Sequence, residues 1–468
     1  MAREPRQLAL TLATIAEAAG GRLTGADREV SGFSIDTRTL KPGNLFFAIR
    51  GDRFDGHTFV AAAVKAGAAG AVVSDTRAIV PPAPEAPLIV VGETIAALQA
   101  LAGYVRRESG SSVVAVTGSA GKSTTKEIAA EFLAARYEVF RNKGNLNNHI
   151  GLPLSLLELR RKPDVAVVEL GMNHAGEIST LVRIARPEVR VWTNVGSAHL
   201  EFFGNVEAIA EAKAEIMEGA GKDDLLVANA DDELVMRRVA RFAGRVWTFG
   251  IERPADIRAL AVRDLGIEGT VARVRTPLGD ADIQTPLPGT ANLANVLAAA
   301  AVAIQFEVPM ADIIERAATL KPMARRGEVT RTRTLTIVDD SYNSNPKALS
   351  HALSMLGGET RHVRRVAVIG EMLELGEASQ TLHRQSGREA AAAGLGVLIA
   401  VGGVPARALA EGAVEAGMPA ADVHYRADSA QAADLAATLV QAGDLVLVKG
   451  SRGIRTDIVA DRLKAERR

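Results

Sequence analysis

Residues 115–127 read AVTGSAGKSTTKE, an apolar run followed by a glycine turn and a helix-forming segment. The run Val113–Val116 predicts a strand, and a helix is expected to begin near Ser123. Backbone N–H groups of a glycine turn, a lysine and the positive end of a helix together cradle phosphate. The full Walker spacing needs a glycine at position 116, which is valine, so Gly118 allows only a shortened loop. The stretch predicts a nucleotide-binding loop, with an ordinary glycine turn as the alternative.

The composition is that of a large, electrically balanced protein without cysteine. Its 468 residues favour about three domains of roughly 150 residues each. Lysine plus arginine equals aspartate plus glutamate at 55 each, which argues against nucleic acid as the main partner. The absence of cysteine excludes disulfides, thiolate zinc sites and a cysteine nucleophile. Without a secretory signal or a run of ~20 apolar residues, we expect a cytoplasmic protein that does not insert into membranes, and we expect a monomer.

The order of apolar runs and helical periods predicts an α/β protein of three domains, at residues 1–92, 93–321 and 322–468. The first is a small domain of short strands and turns. The second contains strands that are apolar throughout and separated by helices, which indicates a parallel sheet buried on both faces. Residues 256–287 form a predicted antiparallel insertion. The third repeats the strand–helix alternation, which predicts a doubly wound, Rossmann-like sheet.

Polar residues follow most of the predicted strands of the second and third domains. Ligands bind past the carboxyl ends of strands in open α/β sheets. The residues at these ends are Thr117 to Ser123, Glu169, Thr193, Asn194, Asp339, Asp340, Glu371 and Lys449. So many charged and amide side chains at strand ends predict a cleft that binds a polar ligand.

Four side chains near this predicted cleft are candidates for chemistry, and for Glu169 and His199 a second interpretation stays open. Lys122 can reach the β- and γ-phosphates of a nucleotide, with a neighbouring hydroxyl on Mg²⁺. Glu169 can bind Mg²⁺ or be a solvated loop acid. His199, beside two phenylalanines, is interpreted first as a packed or capping residue and second as a ligand. Lys213 lies at the edge of an apolar helical stripe, where its stem would be buried and its ammonium would reach water.

Two further segments carry chemistry. VDDSYNSNPKAL, residues 338–349, predicts a strand, a polar turn and a capped helix. The cap does not explain Asp339 beside Asp340, which repel each other unless a ligand or donor intervenes. In the first domain the side chains that could hold an anionic ligand, or could equally stabilise turns, are Ser34, Asp36, Thr37, Arg38, Asn44, Asp55 and His57.

Taken together and in order, these stretches resemble the ATP-dependent Mur ligases of peptidoglycan synthesis. The matching pieces are DTRTLKPGNLFFAIRGDRFDGHTF, TGSAGKSTTKE, KGNLNNHIGLPLSLLEL, AVVELGMNHAGEI, TNVGSAHLEFFG, AKAEI, PGTANLANVLAAAAVA, DDSYNSNPKAL, VIGEMLELG and LVKGSR. The resemblance implies a ligase that adds D-alanyl-D-alanine to a UDP-N-acetylmuramoyl-tripeptide through an acyl phosphate. It also implies a UDP-substrate domain, a central ATPase domain and a C-terminal Rossmann-like domain.

The resemblance further implies roles for individual residues. The catalytic residues would be Lys122, Glu169, His199 and Lys213. Residues implied to bind ATP are Gly118, Ser119, Ala120, Gly121, Lys122, Ser123, Thr124, Asn295, Arg326, Asp340 and Tyr342. One Mg²⁺ would bind Ser123 and Glu169, and a second would bind His199 and a carbamylated Lys213. Residues implied to bind the UDP-linked and peptide substrates are Ser34, Asp36, Thr37, Arg38, Asn44, Asn147, Asn148, Thr193, Asn194, Asn343 and Lys449.

The chain departs from the family pattern at two places, and two rival functions stay open. MARRGEV makes Arg325 and Arg326 competing candidates for the arginine that contacts ATP, and Thr456-Asp457 stands where the family often has Met-Glu. The sibling ligase that adds a diamino acid carries DYAH where this chain has DDSYN, and its Asp-Asn-Pro-Arg motif is missing here. The other rival is a nucleotide-dependent switch without ligase chemistry. The third residue of the tripeptide, diaminopimelate or lysine, stays open.

Overall fold

The computed structural model describes residues 7–51, 53–79 and 86–466. The chain separates into two compact units. The first comprises Met1–Val116, Arg136–Arg190 and Glu215–Leu225, and the second comprises Thr117–Ala135, Val191–Ala214 and Leu226–Arg468. Among the described residues, no helix combines the length and apolar character needed to cross a bilayer.

The strands are β1 (Arg22–Thr24), β2 (Gly32–Ser34), β3 (Asn44–Phe47), β4 (Gly70–Val73), β5 (Leu88–Val90), β6 (Ser112–Thr117), β7 (Val139–Arg141), β8 (Val165–Glu169), β9 (Val189–Trp192), β10 (Leu225–Asn229), β11 (Arg245–Gly250), β12 (Ile257–Asp264), β13 (Thr270–Thr276), β14 (Gly279–Thr285), β15 (Glu328–Arg331), β16 (Thr336–Asp340), β17 (Arg365–Gly370), β18 (Val397–Val401), β19 (Val423–Arg426) and β20 (Leu445–Lys449).

The α-helices are α1 (Leu12–Ala18), α2 (Val60–Lys65), α3 (Thr94–Ser109), α4 (Lys122–Leu133), α5 (Gly151–Leu156), α6 (Glu177–Ala185), α7 (Leu200–Phe203), α8 (Val206–Ala214), α9 (Glu233–Met236), α10 (Thr290–Gln305), α11 (Met310–Ala318), α12 (Pro346–Gly358), α13 (Ser379–Ala392), α14 (Val404–Glu415), α15 (Ser429–Leu439) and α16 (Asp457–Glu466).

The first unit contains a five-stranded sheet in the order β1-β5-β4-β3-β2. Its strands are parallel except for β1, which pairs antiparallel with β5. The same unit contains β6, β8 and β7, which lie side by side and parallel. Every residue of β8 is buried, and β6 is buried from Val113 onward. This burial confirms the predicted parallel sheet covered on both faces.

The second unit contains an antiparallel meander and a doubly wound sheet. Strands β12, β13 and β14 pair antiparallel, which confirms the insertion predicted at residues 256–287. The last sheet has the order β15-β16-β20-β17-β18-β19, and all pairs except β15 with β16 are parallel. The predicted Rossmann-like domain is therefore confirmed, because its strand order reverses around β20. The boundaries at residues 92 and 321 stay predictions.

A buried carboxylate connects the end of α12 to the loop before β13. The side chain of Glu359 is 1% exposed. It accepts hydrogen bonds from Nε of Arg361 at 2.9 Å and from the backbone N–H of Ile267 at 3.4 Å. The Arg361 side chain, more than the backbone N–H groups, lowers the pKa of Glu359 from its ordinary 4.5 to about 2. The ionised form of this group therefore stabilises the fold.

We predict that Glu359→Gln lowers the free energy of unfolding by about 1–3 kcal/mol at pH 7, because the half-exposed Arg361 guanidinium loses a charged acceptor that is itself buried. The folded-state pKa is depressed, so the contribution of Glu359 is fully present above pH 4.5 and is lost as the pH falls toward about 2. Urea titrations should show that the free energies of unfolding of wild type and variant differ less at pH 3 than at pH 7. Glu411→Gln, in an exposed pair with Arg384, should change stability by less than ~1 kcal/mol at both pH values. A gap that is constant with pH would contradict this assignment.

Candidate active site

The phosphate loop lies between β6, which ends at Thr117, and α4, which begins at Lys122. Its two glycines have φ angles of +149° at Gly118 and +81° at Gly121. A Cβ on Gly118 would lie 1.9 Å from Oγ1 of Thr193, and one on Gly121 would lie 2.4 Å from Oδ1 of Asn295. Both positions therefore require glycine, for space as well as for backbone conformation. The predicted helix start is correct to within one residue.

Thr193 and Asn194 hold the loop from the segment that follows β9. Thr193 Oγ1 donates to the carbonyl of Ala120 at 2.7 Å. Asn194 donates from Nδ2 to the same carbonyl at 3.0 Å and accepts from the Ala120 N–H at 2.9 Å. Ser119 donates from Oγ to the carbonyl of Gly196 at 3.1 Å. The resemblance implies that Thr193 and Asn194 bind substrate, whereas their side chains here contact the loop backbone.

Lys122 and Ser123 begin α4, where the helix dipole favours a bound anion. The Lys122 ammonium donates to the carbonyl of Gly118 at 2.7 Å, so it already lies over the loop. Ser123 Oγ accepts from Nη2 of Arg326 at 3.1 Å. Asn295 accepts from Thr125 Oγ1 at 3.1 Å and packs against the loop glycine, as described above. The structure thus brings together the loop, its lysine, Asn295 and one arginine.

The two competing arginines have different neighbours. Arg326 reaches the loop and also stacks over the ring of Tyr342, with the guanidinium carbon 4.0 Å from the ring centroid. Arg325 forms ion pairs with Asp457 and Asp461 of α16. The geometry therefore separates an arginine at the loop from one that stabilises the C-terminal helix. Asp457 is also one of the two positions where the chain departs from the family pattern, and its partner is Arg325.

Glu169 ends β8, the strand next to β6. In the parallel register it lies opposite Val116, two residues before Gly118 in the chain. It is 3% exposed and accepts from Nδ2 of Asn147 at 2.7 Å. Its backbone N–H donates to Oδ1 of Asn142 at 3.0 Å. The alternative of a solvated loop acid is therefore wrong.

Two neighbouring asparagines have separate contacts. Asn147 contacts Glu169, as described above. Asn148 accepts from the backbone N–H groups of Ile150 at 3.2 Å and Gly151 at 2.8 Å, so its side chain caps the start of α5. The resemblance implies that both asparagines bind substrate. Asn142, which it did not single out, orients Glu169.

His199 precedes α7, and Lys213 lies near the end of α8. Nδ1 of His199 is 2.6 Å from Oε2 of Glu374, a residue that follows β17. Burial lowers the pKa of His199; the hydrogen bond to Glu374 opposes this, and the nearby cations Lys122 and Lys213 lower it further. The net lowering of the pKa favours the neutral imidazole, the form that binds metal ions. Lys213 is 1% exposed, so the interpretation that its ammonium reaches water is wrong.

Each of the paired acids after β16 has its own lysine. Asp340 accepts from Lys449 Nζ at 2.6 Å, and the same ammonium donates to the carbonyl of Asn343 at 3.0 Å. Asp339 accepts from Lys464 Nζ at 2.7 Å. Two lysines therefore offset the repulsion that the sequence indicated. The structure brings together three of the predicted site residues, Asp340, Asn343 and Lys449, at the ends of β16 and β20.

The first-domain candidates form local turns and pairs. Arg38 donates from Nε and from its backbone N–H to Asp36, both at 2.9 Å, and lowers the pKa of Asp36 to about 2, chiefly through its side chain. Ser34 Oγ accepts from the Asp36 N–H at 3.1 Å. His57 is fully buried, with Nδ1 2.6 Å from Asp55. Turn stabilisation therefore accounts for the contacts of Asp55 and His57, whereas the Arg38 guanidinium stays exposed.

Sequence reasoning missed Glu374 and Lys347 as site neighbours. Lys347 Nζ lies 3.5 Å from Oδ2 of Asp232 and from the carbonyl of Val195. Both residues come from the third predicted domain and reach segments of the second. Neither follows directly on a strand end, the signal used to select candidates, so only the folded chain shows where they reach.

Three family models match successive parts of the chain. The Mur ligase family catalytic domain matches residues 29–108, the Mur ligase middle domain matches residues 116–303, and the Mur ligase glutamate ligase domain matches residues 325–452. The chain belongs to the Mur ligase family. The confirmed three-domain α/β architecture is the one these models describe.

Similar proteins include a D-alanyl-D-alanine-adding ligase and two solved structures called MurF. UDP-N-acetylmuramoyl-tripeptide–D-alanyl-D-alanine ligase of Escherichia coli is 37% identical over 398 residues, which cover 84% of this chain and 86% of that protein. The crystal structure of MurF from Acinetobacter baumannii has a TM-score of 0.88 at 30% identity and covers 98% of this chain and 99% of its own. MurF ligase from Thermotoga maritima in complex with ADP has a TM-score of 0.79 at 29% identity, covering 93% and 97%.

We predict that Gly118→Ala weakens ADP binding by tenfold or more. The added methyl must displace Thr193 Oγ1 and so reshape the loop that would receive the phosphates, and a loss of about 1.4 kcal/mol in binding free energy is about tenfold in affinity. Isothermal titration with ADP measures the loss. Gly279→Ala is the matched control: its φ is +112°, but no atom lies within 4 Å of an added Cβ. Unchanged affinity in a folded Gly118→Ala protein would remove the loop from nucleotide binding.

Proposed function

We propose that this Mur ligase uses ATP to join D-alanyl-D-alanine to the free carboxyl group of a UDP-N-acetylmuramoyl-tripeptide. The named relatives carry this activity in their names. The glycine loop, with Lys122 at the start of α4, supplies the phosphate-binding element that the reaction needs. Glu169, at the end of the strand that pairs with β6, supplies a buried carboxylate.

The chemistry requires activation of the carboxyl group. A carboxylate does not react with an amine, because its oxygen is a poor leaving group. Transfer of the γ-phosphoryl group of ATP to the carboxylate makes an acyl phosphate and releases ADP. The amine of D-alanyl-D-alanine then attacks the carbonyl carbon, loses a proton, and the tetrahedral intermediate collapses to amide and phosphate. Bringing two anions together requires cations such as Lys122 and Arg326 at the transferring group.

The observation that carries this proposal is that the C-terminal domain reaches the phosphate loop and its neighbours. Arg326 contacts Ser123 at 3.1 Å, and Glu374 lies 2.6 Å from His199. These contacts bring residues of the predicted C-terminal domain to the phosphate loop and to His199. A ligase needs them, because closure of the acceptor-binding domain excludes water from a hydrolysable acyl phosphate. We assign the ATP contact to Arg326 and a structural role to Arg325.

For the remaining residues the proposal follows the implied roles. Gly118 to Thr124 and Asn295 would bind the nucleotide phosphates and adenine side, and Asp340 and Tyr342 would bind the ribose side. Ser34, Asp36, Thr37, Arg38 and Asn44 would hold the UDP end, and Asn147 the path toward Glu169. Asn343 and Lys449 would face the peptide substrates. The domain boundaries, the cytoplasmic location and the monomeric state belong to the same proposal.

The donor set fits Mg²⁺. Glu169 is a buried carboxylate, Ser123 is a hydroxyl at the helix start, and His199 has Nδ1 directed at Glu374 and Nε2 directed elsewhere. Within the described part of the chain, no three acidic or histidine side chains are gathered as a ready-made metal site. Mg²⁺ usually takes one or two carboxylates and completes its shell with water and substrate phosphates. Bound Mg²⁺ would neutralise phosphate charge during transfer.

Lys213 is the remaining candidate ligand. An ammonium next to metal ions would repel them, whereas a carbamate offers two hard oxygens. The Lys213 side chain is buried, at 1% exposure, and a carbamate forms when the neutral amine of a lysine adds to CO₂ and releases a proton. We therefore propose that Lys213 is carbamylated in the active enzyme.

The first test of function is the amine requirement. We predict that ADP release from ATP requires both UDP-N-acetylmuramoyl-tripeptide and D-alanyl-D-alanine, and that free diaminopimelate does not replace the dipeptide. The basis is the DDSYN segment and the absence of the diamino-acid motif. A coupled ADP assay with tripeptides ending in diaminopimelate or lysine also defines the third residue. ADP release without either substrate would favour the switch, and release with UDP-N-acetylmuramoyl-dipeptide plus diaminopimelate would favour the sibling ligase.

The second test concerns Lys213. We predict that Lys213→Ala loses at least about a hundredfold in turnover, the scale of losing one group that stabilises transition-state charge. Acetate should restore part of it by filling the vacated space with a carboxylate. Lys213→Arg keeps the charge but cannot form this carbamate, so it should stay inactive. Lys222→Ala, at an exposed position, is the control. Full activity of Lys213→Arg would exclude the carbamate.

A further inference from the structure

His199 and Glu374 meet although they lie 175 residues apart in the sequence. Their side chains approach to 2.6 Å between Nδ1 and Oε2. Both residues have left-handed backbones, with φ of +65° and +64°, and only seven non-glycine residues in the described part of the chain have positive φ. Left-handed conformations of side-chain-bearing residues are strained and persist where surrounding structure enforces them. Two strained residues that contact each other indicate that the contact itself has a role.

Main-chain contacts fix the position of Glu374 without any contribution from its carboxylate. The carbonyl of Glu374 accepts from the N–H of Glu201 in α7 at 3.0 Å. Two residues later, Gly376 packs so closely that an added Cβ would lie 3.1 Å from the Cα of Glu201. The segment 371–376 is therefore held on α7 by main-chain contacts. The Glu374 carboxylate is directed at the imidazole as a consequence.

Stability does not explain this contact. The side chain of Glu374 is 44% exposed and that of His199 is 22% exposed. Ion pairs this accessible to water contribute little to folding, and a neutral histidine contributes less. The conformational strain of two left-handed residues costs more free energy than such an ion pair contributes. The arrangement is better explained by what it does to the imidazole.

A carboxylate at Nδ1 determines which nitrogen of a neutral imidazole carries the proton. With a carboxylate oxygen 2.6 Å from Nδ1, the tautomer that carries its proton on Nδ1 is favoured, because a bare lone pair there would face the negative charge; Nε2 then keeps its lone pair. Carboxylates that bind ligating histidines in this way fix the ring orientation and raise the basicity of the ligating nitrogen. The pair thus prepares Nε2 as a metal ligand.

We propose that Glu374 is a positioning residue, which holds His199 in the tautomer and orientation that bind the second Mg²⁺. This inference rests on the proposed function, in which His199 is a ligand of that ion. Because Glu374 comes from the C-terminal domain, the metal site is complete only when the segment 371–376 lies on α7. Metal affinity and docking of this segment are then coupled, and by linkage each strengthens the other.

The first experiment reads the tautomer without any metal. The full-length protein is labelled with ¹⁵N-histidine, and the imidazole signals of His199 are assigned with His199→Gln. We expect a protonated Nδ1 in the wild type, and loss of that preference in Glu374→Ala. Glu374→Gln should keep part of the preference for a protonated Nδ1, because its amide oxygen can still accept a hydrogen bond. Glu377→Gln, a neighbouring exposed position, should match the wild type. An unchanged tautomer in Glu374→Ala would overturn the inference.

The second experiment measures Mn²⁺ binding by electron paramagnetic resonance in the presence of ADP. We expect two sites in the wild type, with the weaker one losing about tenfold in affinity in Glu374→Ala and the stronger one unchanged. Lys347→Met breaks the separate contact to Asp232 and leaves the His199–Glu374 pair in place. An equal loss in Lys347→Met would assign the effect to docking alone and overturn the positioning role.

The two experiments also separate this inference from the proposed function. If the wild type binds one Mn²⁺ and ADP release still needs both peptide substrates, the second metal is wrong while the ligase activity stands. If the wild type binds two Mn²⁺ and Glu374→Ala binds both with wild-type affinity, only the role of Glu374 is wrong.

Discussion

The close contact between Gly118 and Thr193 is the constraint on which the rest of the site depends. At 1.9 Å from where a Cβ would lie, the threonine hydroxyl leaves room for a hydrogen atom only. This closeness lets Thr193 and Asn194 bond the loop backbone at Ala120, which fixes the curvature of the loop. The direction of the Lys122 ammonium and the exposure of the α4 N-terminus follow from that curvature. A looser contact would leave the backbone N–H groups free to point elsewhere.

Charge compensation is the second organising feature. The site gathers acidic residues that would repel one another and a phosphate ligand. Asp339, Asp340 and Glu169 each have a donor of their own, respectively Lys464, Lys449 and the amide of Asn147. Lys122 and Arg326 lie at the loop, where they contact Gly118 and Ser123. This division explains why a chain with no net charge can present a locally cationic site to nucleotide phosphates.

Much of the fold could be predicted from the sequence. The apolar runs of β6 and β8 predicted a sheet buried on both faces, and the strand-rich residues 256–287 predicted the antiparallel meander. Local chemistry also predicted the capped α12, where Asn345 accepts from the N–H of Ala348 at 2.9 Å. These predictions succeeded because each depends on residues close together in the chain. The surface alternatives for Glu169 and Lys213 failed for the opposite reason, because the neighbours that bury them are far away in sequence.

The sequence by itself determined the three-domain α/β class, the phosphate loop and the strand ends where polar residues collect, since periodicity, glycine spacing and turn chemistry are local properties. Tertiary structure alone decided which of Arg325 and Arg326 reaches Ser123, because the difference lies in Asp457 and Asp461, more than 130 residues away. It also decided that Glu374 faces His199. Side chains brought together by long loops have no common period or motif, so their contact exists only once the intervening strands have paired and packed.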